Sequence, residues 1–461
     1  NPDSLVAFRD EVFQLEAPFD EMPKSMLKTQ NRFSSIIWGN KNLAIAYDYW
    51  WNTRNKKTYL FNPALPEGGV DLLFDQNYQD AYNDPGSFIT RKNKLGRKVL
   101  ALKGSRAYLK GDGFSDEGQF PFLDEINLKS KIKNRLYQSD YKNKLERFID
   151  YDIDENQLLV RIESPNDYPN YFIRDFDQGD LKQMTQFENP FISIKDIHKE
   201  VISYKRADGL ELSATLYLPV GYDKEKKEKL PMILWAYPRE FKDPSSAAQK
   251  TSNPNTFTYP NYGSPIYWVT KGYVILDRAS FPILGVGDTE PNDTFIKQLV
   301  GNAKAAIDAA DSLGYIDRNR VAVGGHSYGA FMVAHLLSNS DLFAAGIARS
   351  GAYNRTLTPF GFQSEQRSYW EAPEIYYNMS PFMHADKMKT PLLLTHGEAD
   401  NNSGTYPMQS IRYFNALKGL GAEVRLVLLP KESHGYRAKE NILHLLWEQD
   451  QWLEKYVKNK D

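Results

Sequence analysis

A serine between two glycines is the first feature of this sequence that could carry out a chemical reaction. Gly325-His326-Ser327-Tyr328-Gly329 follows an apolar run and precedes an apolar helical pattern, which predicts a strand, a sharp turn and a helix. The glycines let strand and helix approach each other while the serine hydroxyl stays exposed on a strained turn. A serine hydroxyl becomes nucleophilic only beside a base that a third group orients. The motif therefore predicts acyl transfer, provided that the chain supplies both partners.

His434 is the best candidate for the base among the 7 histidines. It follows the predicted strand Arg425 to Leu429, and catalytic groups of open α/β sheets gather at the carboxyl ends of strands. His326 is too close to Ser327 to turn back onto its hydroxyl. His198 lies before the core, and His335 and His444 lie within helical patterns. His384 is in a loop without a leading strand, and His396 is at a strand end whose following loop could deliver an acid.

Asp400 is the preferred third group because its loop follows the penultimate predicted strand. Ser327, Asp400 and His434 then occur in the chain order of α/β-hydrolases. Three other acids stay open as alternatives: Glu398, Glu432 and Asp386.

An oxyanion also needs hydrogen-bond donors. The backbone N–H of Tyr328, directly after the nucleophile, is one candidate. The second donor is expected from the loop Trp235-Ala236-Tyr237-Pro238, where the Tyr237 hydroxyl could serve, although the chain has 29 tyrosines.

The second half of the chain alternates predicted strands with helices, which indicates a doubly wound, mostly parallel sheet of the α/β-hydrolase class over residues 193–461. A helical face is predicted between Thr294 and Leu313. The predicted strands are Val201 to Tyr204, Leu212 to Leu218, Met232 to Ala236, Gly272 to Asp277, Leu342 to Ala348, Pro391 to Thr395 and Val424 to Leu429.

Residues 1–192 contain short alternating runs separated by turn clusters, which predicts an all-β domain. The spacing fits β-propeller blades, but only three or four blades can be built from this length, so we predict an incomplete propeller. An irregular β-sandwich is the alternative.

Composition limits the classes of partner. Lysine plus arginine (57) nearly balances aspartate plus glutamate (59), which argues against a nucleic-acid partner. Because cysteine is absent, thiolate catalysis and cysteine-ligated metals are excluded, and we predict no metal and no cofactor. No apolar run is long enough to predict a membrane partner. The chain opens Asn1-Pro2-Asp3-Ser4, as expected for a mature form or an excised piece.

Several runs resemble the prolyl oligopeptidase family of serine peptidases. They are Gly324 to Met332, His396 to Asn402 and Glu432 to Tyr436, while Trp235 to Pro238 and Gly346 to Phe362 resemble the glutamyl endopeptidase branch. The close resemblance covers roughly residues 230–458. It implies an α/β-hydrolase domain with an N-terminal β-propeller, peptide substrates, and an oxyanion donor at Tyr237. Members of the family have a longer propeller, preceded by a further hydrolase segment.

The resemblance also implies a preference for glutamate before the cleaved bond. Arg355 falls where the family places pocket residues, and a planar guanidinium suits a carboxylate. Asn402 and Ser403 are expected as further lining. Arg349 is a rival for the same role, and a solvated position is the alternative for Arg355.

The sequence leaves other functions open. The same residues could serve a dipeptidyl or acylaminoacyl peptidase or an esterase, and a non-enzymatic interaction module is a further alternative. A homo-oligomer is compatible with the sequence. The sequence does not determine the compartment; a soluble bacterial protein, periplasmic or exported, is one option, and no signal is present in this chain.

Overall fold

The computed structural model describes residues 6–459, which divide into two compact units. The first unit comprises residues 1–188 together with Gln249–Phe257, and the second comprises Asn189–Ala248 and Thr258–Asp461. The sequence placed the boundary between residues 192 and 193 and kept the short segment Gln249–Phe257 in the second domain. We call this segment the inserted strip.

The first unit consists of antiparallel sheets in which most strands pair with the next strand in the chain. A hairpin precedes them, formed by Asp10–Gln14 and Lys24–Thr29. The first sheet contains Arg32–Asn40, Leu43–Trp50, Asn55–Phe61 and Val70–Asn77. The second contains Leu102–Lys103, Arg106–Gly111, Phe122–Asn127 and Lys133–Gln138, with Ser87–Phe88 beside it. The third contains Leu145–Asp152, Gln157–Glu163, Asn170–Asp175 and Asp180–Gln183. Two small pairs are Thr90–Lys92 with Lys98–Leu100 and Phe114–Ser115 with Gly118–Gln119.

Successive sheets of this unit share apolar cores. Ile45 and Leu60 of the first sheet belong to one buried cluster with Leu109 of the second. Leu123 of the second sheet belongs to another cluster with Val160 of the third. Because alternate residues of a strand point to opposite faces, the sheets are packed face to face.

The inserted strip is held in the first unit by polar side chains. Gln249 accepts a hydrogen bond from the backbone N–H of Ala81 (2.7 Å) and donates one to Asp80 (2.7 Å). Asn255 donates to the backbone oxygen of Lys142 (2.9 Å), and the ring of Phe257 lies 5.1 Å from that of Tyr168. These contacts join segments far apart in the chain, which is why the sequence pattern did not predict them.

The second unit contains an 8-stranded sheet, whose strands we label β1 to β8 along the chain. Their bounds are His198–Lys205, Glu211–Leu218, Leu230–Ala236, Val274–Ala279, Ile316–His326, Ala345–Arg349, Leu392–Gly397 and Val424–Leu429. The spatial order is β1-β2-β4-β3-β5-β6-β7-β8, and all strands from β4 onward pair in parallel. This confirms the predicted mostly parallel sheet.

Helices cover both faces of this sheet because its strands are apolar on both sides. In β3, Met232 and Leu234 join one buried cluster and Ile233 joins the other. The longer helices, α1 to α4, are Phe295–Ser312, Tyr328–Asn339, Met408–Gly419 and Lys439–Leu453. Shorter helical segments are Pro66–Gly68, Ile192–Ile194, Pro244–Ala247, Pro265–Lys271, Pro291–Thr294, Arg355–Leu357, Pro373–Asn378, Pro381–Lys387 and Glu454–Lys458, and Arg239–Phe241 pairs with Pro282–Leu284. Within residues 6–459, no helix has the length and apolar composition needed to cross a bilayer.

Candidate active site

Ser327 occupies the turn between β5 and α2, as the sequence predicted. Its backbone has φ 59° and ψ −116°, a conformation that residues other than glycine rarely adopt. The N–H of Ser327 donates to the backbone oxygen of Arg349 in β6 (2.8 Å), which ties the turn to the neighbouring strand. The serine is therefore held in a strained position at the carboxyl end of the sheet.

The glycines of the motif are required by close packing. A Cβ on Gly325 would lie 2.5 Å from the carbonyl carbon and oxygen of Gly329. A Cβ on Gly329 would in turn lie 2.9 Å from the backbone oxygen of Ala236. The turn can therefore form only where the residues two positions before and after the serine have no side chain.

Replacing Gly325 by alanine is expected to lower the free energy of unfolding by on the order of 1–3 kcal/mol, because backbone atoms cannot yield as a side chain does. Urea unfolding measures this effect. Gly419→Ala is the matched control, since a Cβ there meets nothing within 4 Å and Gly419 lies in α3. Equal unfolding midpoints for the two variants would contradict the packing argument.

Asp400 and His434 are in direct contact. Nδ1 of His434 lies 2.8 Å from Oδ2 of Asp400, whose side chain is fully buried. The ring of His434 lies 4.8 Å from the ring of His326, the residue before Ser327. The structure thus brings His434 to the serine turn with one ring nitrogen engaged by the acid.

The other acids that the sequence left open do not occupy this position. Glu398 and Asp386 are exposed. Glu432 is buried and accepts hydrogen bonds from the backbone N–H groups of Arg437 (2.9 Å) and Ala438 (2.7 Å), so it shapes the loop that carries His434.

Asp400 and His326 both have pKa values well below neutral pH. Burial raises the pKa of Asp400, but hydrogen bonds from His396 and His434 outweigh it and leave a value of about 2. Burial, reinforced by nearby Arg349 and His434, lowers the pKa of His326 to about 3. Near neutral pH the acid is therefore ionised, and His326 stays uncharged beside His434.

Tyr237 and Tyr328, the candidate oxyanion donors, lie near Ser327, and their rings are 5.8 Å apart; the role stays a prediction. Burial and the negative charge of Glu240 raise the pKa of the Tyr237 hydroxyl, while the nearby Ser327 lowers it, so the hydroxyl keeps its proton at neutral pH. The Tyr328 side chain donates to Glu240 (2.5 Å). Its backbone N–H belongs to the first turn of α2, where such groups lack an intrahelical partner. Tyr237 thus presents a side-chain donor and Tyr328 a backbone donor.

Arg355 is buried, in contrast to the solvated alternative, with 3% of its surface exposed. Its guanidinium carbon lies 4.2 Å from the ring centre of Phe331 and 4.7 Å from that of Phe362. Burial lowers its pKa to about 10, with Tyr328, Glu240 and then Tyr237 opposing the shift. Among the residues that the structure describes, its Nε has no hydrogen-bond partner, and the carboxylate that acts on it electrostatically is that of Glu240, which already accepts from Tyr328.

The rival Arg349 and the other predicted lining residues are placed differently. The Arg349 guanidinium donates to the backbone oxygens of Tyr262 (2.5 Å) and Gly263 (3.0 Å). Asn402 and Ser403 are exposed on the Asp400 loop, where the Asn402 N–H donates to Asp400 (2.9 Å). A substrate contact by Asn402 or Ser403 stays a prediction.

Comparison with known proteins agrees with this geometry. Residues 297–460, which include Ser327, Asp400 and His434, match the model of the prolyl oligopeptidase family. The chain contains a prolyl oligopeptidase family domain. Residues 208–358 also match the model of the X-Pro dipeptidyl-peptidase family.

Two similar proteins come from plants. The chain is 44% identical to the probable chloroplastic glutamyl endopeptidase of Arabidopsis thaliana, over 95% of this chain and 47% of that protein. It is 43% identical to the protein of the same name in Oryza sativa subsp. japonica, over 95% of this chain and 48% of that protein. The chain spans about half the length of these relatives.

Solved structures share the fold. The acylaminoacyl peptidase of Pyrococcus horikoshii aligns with a TM-score of 0.64 and 18% identity, covering 99% of this chain and 69% of that one. This likeness confirms an α/β-hydrolase domain preceded by a β domain.

Two features of the prolyl oligopeptidase domain were missed by sequence reasoning. One is the aromatic packing of Arg355, and the other is a second histidine on Asp400. The signal for the second was present, because Asp400 follows His396 by four residues and lies in the short loop after β7.

Proposed function

We propose that this chain is a serine peptidase in which Ser327 is the nucleophile, His434 the base and Asp400 the group that orients the base. The observation that carries the proposal is the strained serine turn with His434, hydrogen-bonded to the buried Asp400, beside it. The Ser327 hydroxyl would attack the substrate carbonyl and give its proton to His434. His434 would then protonate the leaving amine, and water would release the acyl group from Ser327 by the reverse sequence.

The oxyanion formed in each step would accept hydrogen bonds from the Tyr237 hydroxyl and the Tyr328 backbone N–H. Donors fixed before the reaction stabilise developing charge more than they stabilise the ground state. The raised pKa of Tyr237 supports this role, since the hydroxyl keeps its proton at neutral pH.

Labelling with a fluorophosphonate tests the proposal. Such a probe reacts with an activated serine, so the intact chain is expected to be labelled and Ser327→Ala is not. A matched control is Ser433→Ala, which removes an exposed hydroxyl next to His434. Absence of labelling in the intact chain would favour the non-enzymatic interaction module.

For specificity, we propose an endopeptidase that prefers glutamate before the cleaved bond. The support is the buried, positively charged Arg355, whose guanidinium packs on Phe331 and Phe362 and interacts electrostatically with Glu240 and with Tyr237. The names of the plant relatives point the same way. A glutamate side chain would bring a further carboxylate that pairs with the planar guanidinium.

Arg355→Ala is expected to remove most of this preference. The ratio of kcat/KM for Glu over Gln should fall by roughly 30-fold, which corresponds to about 2 kcal/mol for a lost charged hydrogen bond. Paired peptides that differ only at this residue provide the measurement. Arg349→Ala is the matched control, because that buried arginine is already engaged by backbone oxygens.

Equal cleavage after Glu, Gln, Ala and Pro by the intact chain would contradict the specificity proposal and leave a general peptidase. A dipeptidyl or acylaminoacyl peptidase is the second candidate, favoured by the shared fold of the Pyrococcus enzyme. Blocked and free amino termini on one peptide series distinguish these activities, and a simple ester substrate tests the esterase alternative.

For the first unit, we propose a partial β-propeller. Consecutive antiparallel sheets built mostly from chain-adjacent strands, packed face to face through apolar cores, are the arrangement of propeller blades.

A further inference from the structure

A second histidine contacts the acid of the proposed triad. His396 is the penultimate residue of β7 and is fully buried. Its Nε2 lies 3.1 Å from Oδ2 of Asp400 and 2.6 Å from the backbone oxygen of Thr405, while its Nδ1 lies 2.6 Å from the hydroxyl of Ser410. Oδ2 of Asp400 therefore faces two histidines, His434 and His396.

The hydrogen-bond partners determine where His396 carries a proton. A carbonyl oxygen can only accept, and so can an ionised carboxylate, so Nε2 must carry the hydrogen that faces Thr405 and Asp400. Ser410, buried in α3, engages Nδ1 and fixes the plane of the ring. His396 thus presents a donor to Asp400 from a ring that is held at both nitrogens.

The carboxylate of Asp400 is surrounded by donors. Oδ1 accepts from the Asn402 N–H (2.9 Å), and Oδ2 faces His434 (2.8 Å), His396 (3.1 Å) and the Thr405 hydroxyl (3.2 Å). Removing His396 would leave the buried carboxylate short of one donor and freer to rotate away from His434. The hydrogen bond from His396 is also the largest influence opposing the rise in pKa that burial causes at Asp400.

We propose that His396 is a positioning residue that holds the Asp400 carboxylate in the orientation His434 requires. The inference rests on the proposed function, because it assigns a role within the same triad. His396 acts through Asp400 and needs no contact with substrate. Its loss should therefore lower the rate of the chemical step and leave substrate binding nearly unchanged.

The test compares His396→Leu, His396→Gln and a matched control, His384→Leu, which removes another buried histidine of the same unit. The readouts are kcat and KM on one peptide, the rate of fluorophosphonate labelling of Ser327, and the thermal midpoint. We expect His396→Leu to lower kcat and the labelling rate by roughly 10- to 100-fold with KM within about twofold, as for groups that orient a catalytic residue. Glutamine can place an amide N–H near the position of Nε2, so His396→Gln should recover most of the loss. His384→Leu should retain the rate of the intact chain.

Ser410→Ala provides a second route if His396→Leu does not fold. This variant removes the anchor on Nδ1 while leaving the histidine in place, and it should reduce kcat several-fold. An unchanged kcat in His396→Leu or Ser410→Ala would overturn the inference. It would also be overturned if His396→Gln were no faster than His396→Leu while the two variants had equal thermal midpoints. Failure of the proposed function has a different signature, because the intact chain would then not be labelled at Ser327 at all.

Discussion

Replacing Ser327 or His434 by alanine is expected to lower kcat by about 10⁴-fold or more, and the double replacement is expected to add little. The two side chains act in one proton transfer, so the loss of either removes the same step. His434 has its Nδ1 engaged by buried Asp400, which leaves Nε2 as the nitrogen available to the serine. Steady-state kinetics on a single peptide, with Ser433→Ala as the control for folding, provide the measurement.

The opposite assignment of the histidines would give a distinct result. If His434→Ala kept near-normal turnover while His396→Ala abolished it, His396 would be the base and the proposed triad would be wrong. The structure argues against this assignment, because both ring nitrogens of His396 are already hydrogen-bonded within the protein.

Tyr237→Phe is expected to reduce kcat by about 10²-fold with a smaller change in KM. The hydroxyl would act mainly on the oxyanion, which exists only during the reaction, so substrate binding should be little affected. The ring of Tyr237 packs at 5.8 Å from that of Tyr328, and phenylalanine preserves this contact. Tyr377→Phe, at an exposed tyrosine in the same unit, is the matched control.

An unchanged kcat in Tyr237→Phe would move the second oxyanion donor to another group. A parallel rise in KM and fall in kcat would instead indicate that Tyr237 also orients the substrate. These outcomes are distinguished by measuring both constants over the same pH range.

Much of the second unit could be predicted because its local patterns agree with its tertiary structure. The helix predicted between Thr294 and Leu313 corresponds to α1, and the predicted strand Val424 to Leu429 has the bounds of β8. Apolar runs bounded by turn residues define such elements without reference to distant partners. The inserted strip could not be predicted in this way, because Gln249 and Ala81 are 168 residues apart in the chain.

The candidate site shows the same division. Ser327, Asp400 and His434 each follow a strand, so a parallel sheet brings their loops to one edge, and the sequence is sufficient to propose them together. The environment of Arg355 depends instead on Phe331 of α2 and on Phe362 of a separate loop. Sequence spacing does not encode that packing, and it gave no sign that the arginine would be buried.

The inserted strip limits how the two units can be exchanged by recombination between related genes. Since Gln249–Phe257 lies inside the sequence of the second unit but is held by the first, a single recombination junction near residue 188 cannot exchange one unit cleanly. A chimera made there would combine a foreign β unit with a strip whose Gln249 and Asn255 hydrogen-bond to Asp80 and to the Lys142 backbone oxygen of the original unit. We infer that a functional exchange must carry two separate gene segments, so that the β unit and its strip are transferred together.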